Sequence, residues 1–571
     1  MSRYSGRAAG LAIAALAALT QGGAAAAGPS AADAARFAWF DYRGTDGGPM
    51  KAGEYRNPIL AGYYPDPSVL RVGDDYYLVN STFAWFPGIP IWHSRDLVHW
   101  RQIGNAISRP EQLDFTGITL SSGVFAPAIS HHDGRFYIVN TCVRCKDNFL
   151  ITATDPAGPW SDPTWLPSVE GIDPSLFFDD DGRAWLVNNR APAGGSTYEG
   201  HRALWLEEFD TKTLTMKGNP RMIVDGGVDL ATKPIWIEGP HILKKDGFYY
   251  LIAAEGGTSV NHSQVAFRAD RVEGPYRPAP AGVNPILTQR DMPADRPDPV
   301  SAAGHADLVE LPGGRWAAVF LGTRPYELDF YNIGRETFLL PVTWQGGWPR
   351  ILAPKTAVPR VAKRLLPAGP AAPPQTGSFA ARDEFSGTSL PLNWMTMRGA
   401  AVTVAGGELR LSPGDGLGAM GKPAFAARRQ QHIAATAETE LLALPATGTS
   451  AGLAALQNDA YFLTIAAVSR GGGTVIRAAR RAGKDEPADG MTLAETPIAG
   501  KGPIRFRISA RGGRYDLAYA VGGVWTVLAK NVDATNLSTE TAGGFVGTMI
   551  GPFAERNEQA AGRANARSSV R

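Results

Sequence analysis

The chain has 571 residues, 44% hydrophobic and 19% charged, with a formal net charge of +2 at pH 7. That length exceeds what one hydrophobic core usually supports, so two domains are expected. The near-zero charge balance gives little electrostatic reason for nucleic acid or an anionic membrane surface as a partner, and an uncharged ligand fits better.

In chain order, Arg3 and Arg7 precede the small and apolar run GLAIAALAAL from Gly10 and an alanine-rich stretch ending in AAAAGPS. This is the pattern of a secretory signal, too short to span a bilayer, and it predicts a signal peptide over residues 1–27, export after its removal and no membrane insertion. No Cys follows the run, so a lipid anchor is not expected. Residues 28–56, including FAWFDYRG, read as a lead-in that packs on the outside of whatever follows first.

Between about residues 57 and 360 one degenerate segment recurs five times: acid or small residue, Pro, apolar strand, Gly turn, aromatic strand. The copies are YPDPSVLRVGDDYYLVNST from Tyr64, FAPAISHHDGRFYIVNT from Phe125, IDPSLFFDDDGRAWLVNN from Ile172, IEGPHILKKDGFYYLIAAEGGT from Ile237 and GHADLVELPGGRWAAVFLG from Gly304. Radial repetition of strand, turn and strand is the signature of a five-bladed β-propeller, in which the first strand of each blade lines the central axis. Asp74, Asp75 and Asp179 to Asp181 sit beside Gly and read as hairpin-turn residues. The two cysteines, Cys142 and Cys145, lack a second ligand pair or a thioredoxin-like context, so a local disulfide or two inert thiols is expected.

The Pro-, Ala- and Gly-rich segment RLLPAGPAAPPQTGS places a linker at residues 361–381. Short alternating runs such as AVTVAGGELRLS and PIRFRISARGGRYDLAYAV then predict a concanavalin-like β-sandwich over residues 382–555, giving an all-β chain. Residues 556–571 lack an apolar pattern and read as a disordered tail.

Three copies place a carboxylate at the axial position: Asp66 before Pro67, Asp173 before Pro174, and Glu238 before Gly239 and Pro240. Copies two and five carry Ala126 and His305 to Asp307 there. Taken singly, Asp-Pro-Ser is a turn, with Asp capping backbone NH groups. Repeated in register, the three acids converge in one cavity and push one another's pKa values apart, so that one serves as a base and another as an acid. Glu255, after the second strand of its copy, is the weaker candidate for the cavity.

The motifs NPILAGYYPDPSVLRVGDDYYL, STFAWFPGIPIWHSRDLVHW, GIDPSLFFDDDGRAWLVN, WIEGPHILKKDGFYYLIAAEGGT, GHADLVE and GRETFLLPVTW, in this order, resemble glycoside hydrolase family 43 on its β-xylosidase branch. The resemblance covers nearly all of residues 57–355, and residues 383–553 resemble the β-sandwich that often follows. It implies hydrolysis of a glycosidic bond with inversion: Asp66 matches the general base, Glu238 the general acid, and Asp173 the third acid, which orients Glu238 and raises its pKa. An inverting pair stands about 6.5–9.5 Å apart to admit water, a span that acids on different blades can provide.

For substrate contacts, Arg335 in IGRETF matches an arginine that reaches sugar hydroxyls near the third acid; a lone strand Arg is otherwise a surface salt-bridge partner. Phe83, Phe125 and Thr258 match the sugar subsite, and Phe545 matches a sandwich residue inserted at the site's mouth, which favours removal of terminal sugars. His305 matches an axial histidine that in some relatives helps to hold a water-ligated calcium; otherwise it is a buried core histidine. No cofactor is required by the chemistry. Where several xylosidases have Trp-Ala-Pro-His, this chain has Phe125, Ala126, Pro127 and Ala128. The substrate expected is a xylo-oligosaccharide or an arabinose-decorated hemicellulose, through β-xylosidase or α-L-arabinofuranosidase activity. A non-catalytic carbohydrate-binding propeller is the alternative from another class, and the oligomeric state is left open.

Overall fold

The computed structural model describes residues 34–500 and 502–557. The signal-peptide reading of residues 1–27 and all but the first two residues of the expected tail lie outside the described residues. Among the described residues no helix is long and apolar enough to cross a membrane.

Five antiparallel sheets follow the five sequence copies one for one. Their innermost strands are Ser68–Val72, Ala128–His132, Ile172–Phe178, Glu238–Lys245 and Ser301–Leu311. Each pairs through a short turn with a second strand, and Ala184–Arg190 and Arg315–Thr323 are buried along almost their whole length. Burial of these strands on both faces builds the cores between blades. The turn acids do more than turn. Asp179 is buried and accepts from Lys244 Nζ at 2.8 Å and Tyr249 Oη at 2.6 Å, tying the third blade to the fourth.

The second domain stacks two eight-stranded sheets. Two expectations fail at its borders. Most of the lead-in does not pack on the first blade: the strand Ala35–Thr45 lies inside a sandwich sheet, between Ala434–Leu441 and the strands Phe379–Asp383 and Leu409–Leu411. Only the lead-in's end, at Tyr55, joins a core cluster that includes Val69, Leu78 and Trp92 of that blade. A register break between Phe37 and Phe40 leaves Phe37, Phe40 and Tyr42 all in the sandwich core. Nor is 361–381 a free linker, because Val361–Lys363 pairs with Glu54–Arg56 and Phe379–Asp383 belongs to the sandwich. At the far end, the strand Met549–Arg556 carries order through Arg556, the first residue assigned to the tail.

The domains also share a sheet. Trp85–Phe86 from the first blade's connection pairs with Met395–Met397 at the edge of the other sandwich sheet, and Trp85 is fully buried. Arg398, wholly buried, donates to Ile118 O on the propeller side at 2.6 Å and pairs with Asp459 on the sandwich side at 2.6 Å. Cys142 and Cys145 form a disulfide across the turn after the strand Arg135–Val143.

Candidate active site

Asp173, Glu238 and His305 reach the axis where their inner strands are irregular, and Asp66 does so from the turn just ahead of the strand Ser68–Val72. Register breaks between Ile172 and Ser175, between Glu238 and His241, and twice between Ser301 and Asp307. Asp66, Asp173 and His305 take φ values of 52°, 53° and 49°, left-handed conformations that non-glycine residues rarely adopt. Bulges re-aim side chains, and such strain collects at functional sites. Gly239 is needed beside Glu238: at φ 55° a Cβ there would lie 2.7 Å from His305 Nε2.

Together these residues line a cavity of about 440 Å³ with Phe83, Phe125, Ala126, Thr258, Arg335 and Phe545. All nine site residues read from the sequence therefore meet in one place. Glu255 does not line it; its Oε2 accepts from Val228 N at 2.9 Å and braces a neighbouring loop.

The three carboxyls sit in different fields. Asp66 is buried, which alone would raise its pKa, but Arg335 Nη1 donates to Oδ1 at 2.9 Å and Ser81 Oγ to Oδ2 at 2.6 Å. The net effect holds Asp66 below the usual carboxylate range, hence ionised. His305 Nδ1 stands 3.9 Å away, but burial lowers its pKa to about 4 and leaves it neutral at pH 7, so Arg335 supplies the charge. Glu238 is pushed well above its usual range by burial and then by the charges of Asp173 and Asp66. Asp173, raised to about 7 by burial and by Asp66, accepts from Gly239 N at 3.1 Å.

Arg335 contacts Asp66 rather than the third acid. Asp173 reaches Glu238 through the neighbouring backbone NH and through its charge, with no hydrogen bond between the two carboxyls.

An aromatic wall faces the acids. The Phe545 ring, contributed by the sandwich, stacks on Phe83 at 5.8 Å and meets Phe125 edge-on at 5.7 Å, and Phe545 N donates to Ser121 Oγ at 3.0 Å. The Arg335 guanidinium lies 5.4 Å from the Phe545 ring centroid. The site is thus built from both domains. Sequence reasoning missed Val143, Ile172, Arg202 and Trp236, which also line the cavity. Trp236 stands within the WIEGP motif, two residues before the acid, and that proximity was the available signal; Arg202 belongs to a connection with no local pattern.

For calcium, the small axial space beside His305, bounded by Ser175, Gly239 and His241, holds about 10 Å³, room for about one water. Calcium takes about six to eight oxygen ligands, so the residues around His305 do not fit a hydrated calcium, and among the described residues no group of three or more His, Cys, Asp or Glu is placed to hold a metal ion.

The chain's relatives agree with this architecture. The family described as "Glycosyl hydrolases family 43" matches residues 55–349, and "Beta xylosidase C-terminal Concanavalin A-like domain" matches residues 382–566. The chain is 36% identical over 532 residues to the non-reducing end alpha-L-arabinofuranosidase BoGH43B of Bacteroides ovatus, covering 89% of this chain and 92% of that one. It is 35% identical over 528 residues to the xylan 1,3-beta-xylosidase of a Vibrio species, covering 87% and 95%. Among solved structures, a GH43_12 protein retrieved from capybara gut metagenome superposes with a TM-score of 0.86 at 39% identity, covering 91% of this chain and 99% of that one. Matched in both domains and along nearly the whole length of such relatives, this propeller and its β-sandwich belong to glycosyl hydrolases family 43, and the protein is a glycosidase.

Proposed function

We propose that the protein removes terminal xylose from xylo-oligosaccharides by a single displacement that inverts the anomeric centre. The observation that carries this is the opposite electrostatic treatment of two carboxyls in one cavity: Asp66 is held ionised and Glu238 is held protonated. Asp66 takes a proton from water as the water oxygen bonds to C1. Glu238 gives its proton to the glycosidic oxygen as the C1–O bond breaks. The cycle leaves Asp66 protonated and Glu238 ionised, and proton exchange with solvent resets both. Asp173 keeps Glu238 protonated through its charge. Arg335 fixes Asp66 and presents its remaining face to sugar hydroxyls, while Phe83, Phe125 and Phe545 pack on the sugar's C–H surface and close the pocket beyond one residue. His305 supports the base from the axis. Export, read from the N-terminal pattern alone, places this work outside the cytoplasm.

α-L-Arabinofuranosidase activity is the second reading, favoured by the name of the Bacteroides ovatus relative and by the Phe125 to Ala128 wall, which departs from the Trp-Ala-Pro-His of several xylosidases. Paired nitrophenyl β-xyloside and α-L-arabinofuranoside, with xylobiose as the natural bond and Glu238→Gln as control, separate the two. Higher kcat/KM on the xyloside and xylobiose supports the first reading, with the loss in the variant read on xylobiose because nitrophenolate leaves with little acid help. Preference for the arabinoside replaces it with the second, and inactivity on all three overturns both.

A further inference from the structure

Glu238 must reach the leaving oxygen, so whatever lies beyond that oxygen sits on the Glu238 side of the cavity. On that side stands Trp236, two residues before Glu238. Its indole is 40% exposed although it lines the cavity, and its backbone holds φ at 51°, a conformation that a bulky residue adopts only when its surroundings impose it.

The surroundings do impose it. Trp236 N donates to Gly200 O at 2.8 Å, Ile235 O accepts from Gly256 N at 2.9 Å, and Ile237 O accepts from Asn189 Nδ2 at 2.5 Å. The same Asn189, through Oδ1, accepts from Arg202 Nε at 2.8 Å and so aims the guanidinium at Trp236, 5.2 Å from its ring centroid. Among the described residues, no hydrogen bond or ion pair engages the Nη atoms of Arg202.

We propose that Trp236 and Arg202 form the leaving-group platform, on which a neutral pyranose stacks against the indole while its hydroxyls accept from the free guanidinium nitrogens. This rests on the glycosidase mechanism above and names the residues that recognise the second sugar. A neutral ring suits the site better than an acidic one, because Arg202 already lies in the fields of Glu238 and Asp173. The rim continues the apolar surface: Ile235 is exposed, and its Cδ1 lies 3.6 Å from a Cβ built on the lining residue Gly257. An apolar rim with one free hydrogen-bonding fork matches the two faces of a pyranose.

The test compares xylobiose with methyl β-xyloside, and arabinofuranosyl-xylose with methyl α-L-arabinofuranoside, for wild type, Trp236→Ala and Arg202→Met. Both members of each pair release an alcohol that needs the acid, but only the disaccharide brings a ring to stack. The platform predicts that each variant lowers the disaccharide-to-methyl ratio of kcat/KM by about tenfold, mainly through KM. The alkaline limb of the pH profile stays in place in Trp236→Ala and moves to higher pH in Arg202→Met, which removes a charge that lowers the Glu238 and Asp173 pKa values. Equal losses on both leaving groups or unchanged ratios would overturn the platform while leaving the glycosidase reading intact. A wild type that cleaves neither pair overturns both.

Discussion

Asp66 and Glu238 carry the same functional group, and their neighbours set its proton. The alkaline limb of activity follows the raised Glu238–Asp173 pair, which titrates as a unit, and the acid limb follows the lowered Asp66. Arg335→Met removes the charge that offsets burial of Asp66. Its pKa then rises, and the acid limb of kcat/KM is expected to move to higher pH; an unmoved limb would mean that Arg335 does not set the base. Asp66→Ala and Glu238→Ala are each expected to cut turnover by about 100-fold to 10,000-fold on xylobiose with the fold intact. Glu238 also has a stability cost with a definite sign. At pH 7 it is protonated in the fold but ionised in the unfolded chain, so unfolding releases a proton and stability falls as pH rises above the ordinary glutamate value of about 4.3. Glu238→Gln should therefore melt higher than wild type at pH 7, with the gap closing near pH 4, as thermal melts at the two pH values would read.

At the scale of elements, the site depends on two pieces that fix each other. The segment carrying Phe83 is held by the pairing of Trp85–Phe86 with Met395–Met397, and Phe545 reaches the pocket just ahead of the strand Met549–Arg556. Phe545→Ala is expected to lower kcat/KM for xylobiose by about tenfold or more, since it removes a ring from a three-ring wall while leaving the acids in place. Kinetics alongside an unchanged melting curve check it. The blades themselves were legible in the sequence, because strand, Gly turn and strand recur locally and the axial acids keep register with them. The lead-in was not. The alternation of FAWFDYRG announces a strand, but its partners include Ala434–Leu441, far along the chain, and a distant pairing leaves no local mark. Arg202 was illegible for the same reason: its meaning comes from Asn189 and Trp236, which only the fold brings beside it.

The whole molecule is one device because the sandwich completes the propeller's pocket. Arg398 and Asp459 form the buried join, and breaking such a pair leaves an uncompensated charge, so Asp459→Ala should cost about 3–5 kcal/mol in denaturant melts. Loss of sugar specificity should accompany it, since the loop at Ile118 and Ser121 that supports Phe545 hangs on the same join. The direct test of the central claim, that water activated at Asp66 displaces a leaving group protonated by Glu238 in one step, is proton NMR of the xylose released from methyl β-xyloside, whose only sugar product comes from the cleaved bond. The mechanism predicts that α-xylose appears first and equilibrates to the β-anomer afterwards. β-Xylose appearing first would contradict single displacement and require a covalent intermediate.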